Sequence, residues 1–147
     1  MSSFTGVWSY RAIHDRVDLE IPFGDLRFAS GLMTLRESSP GVLEGSVVGK
    51  GWGTWMDWSL ALEGTTFFGF PHQLRLRGTN EIDGERWVYD YLGFLMPPWP
   101  HANETRSTIV GSFIRTGART GSGAVCDVLC REAPRRLRGC RVSDTVC

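Results

Sequence analysis

Phenol and indole side chains are the groups in this sequence best suited to hold or act on a small molecule. Tyr10, Trp58, Tyr89 and Tyr91 each sit in a run where apolar and polar residues alternate. In extended backbone such alternation puts one set of side chains on one face. On that reading Tyr10, Trp52, Met56, Trp58, Trp87, Tyr89 and Tyr91 all point to the same side. A buried phenol or indole wants a partner for its polar atom, and a ligand can supply one. Packing of the same rings against one another is the competing expectation. Trp99 belongs to the same group, within Met96-Pro97-Pro98-Trp99-Pro100-His101. Its prolines stiffen the segment and hold the indole at a rim, either as a lid or as cover for the end of a core. Pro97-x-x-Pro100 also fits the spacing of polyproline ligands.

Acid–base chemistry has fewer candidates. Asp90 stands between Tyr89 and Tyr91, and Asp57 between Met56 and Trp58. Alternation sends both carboxylates to the face opposite the rings, where water solvates them. If a reaction is catalysed, its proton donors are to be sought among Asp90, Tyr89, Tyr91 and His101. His14, His72 and His101 are isolated, and no H-x-H, H-x3-H or HExxH spacing occurs, so no metal site and no cofactor are expected. There is no G-x-S-x-G elbow, no P-loop and no G-x-G-x-x-G opening a helix. Gly49-Lys50-Gly51-Trp52-Gly53 joins two strands, so it lacks the helix dipole that holds phosphate.

The elements that carry these residues are short and extended. Alternating runs cover Thr5 to Ala12, Asp25 to Glu37, Val42 to Val48, Trp52 to Glu63, His72 to Thr79, Glu85 to Leu95 and Arg106 to Thr116. A weaker one lies around Gly123 to Leu129. Gly31 is expected to mark a bulge in the second run. Ser38-Ser39-Pro40-Gly41 and Gly49-Lys50-Gly51 read as turns, Gly64 to Pro71 as an aromatic loop, and Asn80 to Gly84 as a hairpin connection in which Asp83-Gly84 suits positive φ. Seven to eight such strands without an intervening helix predict an all-β, up-and-down antiparallel meander barrel. Closure removes the edges that apolar strands would otherwise expose.

Composition agrees and narrows the classes. The 147 residues suit one domain, with 41% hydrophobic residues and sixteen basic side chains against sixteen acidic ones. Balanced charge argues against nucleic acid as a partner, and no apolar run reaches the length of a membrane span. Eighteen glycines exceed the usual share of about 7% and favour turns over helix interiors. All four cysteines, Cys126, Cys130, Cys140 and Cys147, fall after residue 125. Their spacing lacks the paired knuckles of zinc sites. Residues 126–147 hold five Arg against three acids. The expected organisation is therefore one barrel over 1–125 followed by a Cys- and Arg-rich tail over 126–147. The opening residues lack the pattern of a secretory signal, so a cytoplasmic location with reduced thiols is expected.

Thr5-Gly6-Val7-Trp8 carries the G-x-W element with which lipocalins and avidin-like proteins begin their first strand. Ser107-Thr108-Ile109-Val110-Gly111 also looks like a late strand of avidin-type barrels. The resemblance implies a calycin-type meander whose tryptophan closes one end and whose interior holds a small apolar ligand. It does not extend to biotin, because Trp8-Ser9-Tyr10-Arg11 lacks the Asn and Ser that hold the ureido group.

Three functions follow as expectations. The first is binding of a small hydrophobic or aromatic molecule inside the barrel, through Tyr10, Trp58, Tyr89, Tyr91 and Trp99. The second is a cofactor-independent isomerase or cyclase. The third is a structural or interaction module with a packed core. Leu92 and Phe94, on the outer face with the nearby phenylalanines Phe67, Phe68 and Phe70, make a homodimer the expected assembly.

Overall fold

The computed structural model describes residues 3–14, 18, 20–51, 57–82, 84–98 and 106–116, together with the backbone of 126–132. Eight strands follow one another in the order β1 (Gly6–His14), β2 (Arg27–Ser39), β3 (Val42–Gly51), β4 (Asp57–Phe67), β5 (Gln73–Ile82), β6 (Glu85–Met96), β7 (Thr108–Arg115) and β8 (Cys126–Glu132). Each pairs antiparallel with its sequence neighbour, and β8 pairs with β1, so the sheet closes on itself. A short 3-10 turn, Phe23–Leu26, precedes β2. Among the described residues no helix is long and apolar enough to cross a membrane.

Alternation decides which face is inside. In β4, Leu60 and Leu62 are buried while Asp57, Ser59, Ala61 and Glu63 are exposed. In β5, Leu74 and Leu76 are buried between exposed Arg75 and Arg77. Trp8, Tyr10, Met33, Leu35, Leu43, Val47, Tyr89, Tyr91, Ile109 and Phe113 complete the interior. Each such side chain contributes about 1.5–3 kcal/mol relative to exposure, so a one-residue slip in any strand would forfeit several at once.

Several boundaries differ from those read along the sequence. The ladder passes through Gly31, which pairs with Gly49. The register shifts instead lie between Ala12 and Ile13 and between Glu37 and Ser39. Gly31 serves close approach, since a Cβ there would lie 2.0 Å from the Val48 carbonyl oxygen. Gly49-Lys50-Gly51 is strand and not turn, with Lys50 opposite Asp57. Gly64 to Phe67 likewise extends β4, pairing with β5 as far as Gln73. The aromatic stretch therefore begins its turn only after Phe67. These glycines punctuate the sequence like turns, yet they let neighbouring strands crowd together where the barrel bends.

Two tight connections fall where turns were read, the second shorter than expected because Asn80 to Ile82 belong to β5. Gly41 (φ +77) joins β2 to β3, and its amide donates to Glu37 Oε1 at 3.1 Å; Gly84 (φ +74) joins β5 to β6. Strand pairing continues to Glu132, into the Cys- and Arg-rich segment; the backbone of β8 is what closes the ring. Residues 133–147 lie outside the described residues, as do Trp52 to Met56 of the predicted fourth run.

Candidate ligand-binding site

The two ends of the barrel are built differently. At the end where β1 begins, Phe4 is fully buried, and Trp8 Nε1 donates to the Phe4 carbonyl at 2.9 Å. This plug satisfies the indole and seats the chain entering β1. Higher up, between Met33, Leu74, Tyr91 and Ile109, the interior leaves a void of about 20 Å³. That is room for one water and no ligand.

The opposite end lies where β1, β3, β5 and β7 finish and β2, β4, β6 and β8 start. Its inner face carries His14, Phe28, Trp58, Trp87, Tyr89 and Arg115, joined through ring contacts to the centre. His14 meets Phe28 edge-on at 4.9 Å, and Phe28 lies 5.9 Å from Phe113. Tyr89 and Tyr91 flank Phe113 at 5.5 and 5.2 Å, the second nearly stacked. Tyr10 and Trp58 meet edge-on at 6.0 Å, although their strands are not neighbours. Two rings therefore touch across the lumen. Phe28, Ala29, Trp58 and Trp87 are only partly buried, whereas the rings below them are fully covered.

Three polar atoms at this end are buried without a hydrogen-bond partner among the described residues: Trp58 Nε1, Trp87 Nε1 and Arg115 Nε. A fourth such atom, Thr5 Oγ1, lies at the Phe4 end. Arg115 stands directly across the ladder from Tyr89. Its guanidinium lies over the Trp87 ring, with Cζ 4.4 Å from the centroid, and 5.9 Å from that of Tyr89. Stacking of this kind holds an arginine head against an aromatic wall while leaving its in-plane donors directed elsewhere.

Of the residues singled out by type and spacing, Tyr10, Trp58, Tyr89 and Tyr91 share the interior, and Tyr10 touches Trp58 there. Tyr91 sits deeper, within the packed centre. Asp90 is on the outer face, opposite Arg77, whose Nε donates at 2.7 Å and Nη2 at 3.1 Å to the two carboxylate oxygens. That fork holds the Asp90 carboxyl below its ordinary range, against the opposing effect of partial burial, with a hydrogen bond from Thr116 helping. Asp90 is thus kept ionised outside the lumen, as its place in the alternation indicated. Trp99 and His101 fall outside the described residues. Among the described residues no group of three or more His, Cys, Asp or Glu side chains could hold a metal ion.

Sequence reasoning passed over Arg115 and did not include Trp87 among the site residues. The signal for Arg115 was present: Ile109, Gly111, Phe113 and Arg115 share one phase of β7, so the arginine continues an inward-facing row. Its outer counterpart is a shallow groove of about 730 Å³ crossing β4 to β7, bordered by Glu63, Arg77, Asp90 and Ile114. No protein-family model, curated protein or solved structure matches this chain.

Proposed function

We propose that the protein binds a small hydrophobic or aromatic molecule at the Arg115 end of the barrel interior, against Tyr10, Trp58, Trp87 and Tyr89. The observation that carries this reading is the uneven burial of the rings. Phe4 and Trp8 are sealed at one end, while Phe28, Trp58 and Trp87 are only partly covered at the other. Large aromatics left partly uncovered at one end, with a few polar groups beside them, are what an apolar ligand can pack against. A closed meander opening on Gly6-Val7-Trp8 resembles lipocalins and avidin-like proteins, which hold small apolar ligands inside, and that likeness supports the reading. We also propose that two copies pair through the outer face of β6, where Leu92 and Phe94 lie beside exposed Val110 and Ile114.

Titration with the neutral fluorophore N-phenylnaphthylamine tests the binding reading. Saturable enhancement and a blue shift are expected in the native chain, and weakening in Trp58→Leu. A signal that never saturates up to the solubility limit of the dye would overturn it.

A further inference from the structure

The three unpartnered donors at the Arg115 end define more than a greasy site. An indole nitrogen can only donate, and so can a guanidinium. Trp58 Nε1, Trp87 Nε1 and Arg115 Nε are all removed from water, and each lacks an acceptor among the described residues. Leaving such atoms unmet costs about 1–3 kcal/mol apiece, so three of them at one end make a site whose described residues are short of acceptors in particular. The contrast with Trp8 is instructive, because that indole has its carbonyl at 2.9 Å.

We infer that the ligand is an organic anion, with an apolar body lying against the rings and a carboxylate received by Arg115 and the indole N–H groups. This rests on the proposed interior binding and names the chemical class of its ligand. A carboxylate accepts through two oxygens with several lone-pair directions and matches the planar arginine fork. Arg115 Cζ already rests over the Trp87 ring at 4.4 Å, so part of the side-chain freedom that binding would cost is lost beforehand. Glu85, the carboxylate on the same phase of β6 as Trp87, has an interaction of its own, and the three donors stay unmet among the described residues. An alcohol or hydrocarbon of the same body would bury the cation without neutralising it.

Competition against bound N-phenylnaphthylamine separates the two readings. Octanoate and octanol share a body and differ in the head, and naphthoate distinguishes an aromatic from an aliphatic acid. Octanoate is expected to displace the dye from the native chain about tenfold or more better than octanol, the scale of a hydrogen-bonded charge pair. That preference should fall towards unity in Arg115→Met, which keeps the apolar stem, with each displacement referred to the dye affinity measured for that variant. Trp87→Phe should reduce it less. Equal displacement by octanoate and octanol in the native chain would overturn the anion inference and leave the binding reading standing. A native chain that does not bind the dye would overturn both.

Discussion

Arg115 and Trp87 form a stacked pair inside the barrel, with the guanidinium carbon 4.4 Å from the ring centroid. The two are on neighbouring strands, since Arg115 pairs with Tyr89 across the β6–β7 ladder. A charged side chain at the end of an otherwise apolar inward row would be expected to turn to water. Here its guanidinium lies over an indole, with Nε buried and without an acceptor among the described residues.

The two kinds of tryptophan should respond oppositely to loss of the indole nitrogen. Trp8→Phe removes the buried hydrogen bond to the Phe4 carbonyl together with part of the ring that seals this end, and is expected to lower stability by about 1–3 kcal/mol. Trp87→Phe removes a donor that has no partner among the described residues; relief of that defect offsets lost ring area and a weaker cation–π contact, leaving stability within about 1 kcal/mol of the native value. Urea unfolding of both variants checks this. Equal losses would mean that the Trp87 nitrogen is satisfied in solution.

Gly31→Ala should be among the most damaging single-methyl additions in the molecule. A Cβ there would lie 2.0 Å from the Val48 carbonyl oxygen, part of the backbone that cannot swing aside. A loss of about 1–3 kcal/mol or more is expected. Gly24→Ala, with nothing within 4 Å of its added carbon, should stay within about 0.5 kcal/mol. Thermal melts of the pair give the answer, and similar shifts would contradict the close approach of β2 and β3.

The Arg77–Asp90 fork gives stability a dependence on acid. The Asp90 carboxyl is held below its ordinary value in the folded chain, first by the hydrogen bond from Arg77. Its contribution is therefore present above the unfolded carboxyl's pKa and is lost as pH falls through the lower, folded one. Both side chains are substantially exposed, so the effect is small and salt-screened. Melting temperatures of the native chain and Asp90→Asn should differ slightly at neutral pH in low salt and converge as the pH falls below the ordinary carboxylate range. A gap that persists unchanged in acid would show that the fork is not what separates them.

Assembly can be read from mass. Sedimentation at micromolar concentration is expected to give twice the 16.4 kDa chain mass, and Leu92→Glu to return the monomer. A native chain sedimenting as a monomer would remove β6 as a pairing face. Phe68→Ser should leave the stability of the fold unchanged to within about 0.5 kcal/mol, because that ring is 96% exposed.

The period of two was enough to assign strands and faces. Trp58, Leu60 and Leu62 had to share a side, as did Trp87, Tyr89 and Tyr91, because successive side chains of extended backbone alternate whatever the rest of the chain does. Asp90 was placed outside for the same reason. Period alone carries no information about which backbones approach closely, so Gly31 and Gly49 read as punctuation although they face each other across a ladder. Nor could it show that Cys126–Glu132, set in a segment of different composition, pairs with both β1 and β7: closure joins backbones far apart in sequence through hydrogen bonds that any residue but proline can make. Arg115 is the clearest case. Its inward phase was written in β7, but its role depends on Trp87 lying beneath it and on the absence of an acceptor around its Nε among the described residues. Only the folded barrel, which brings three distant strands to one end, decides that.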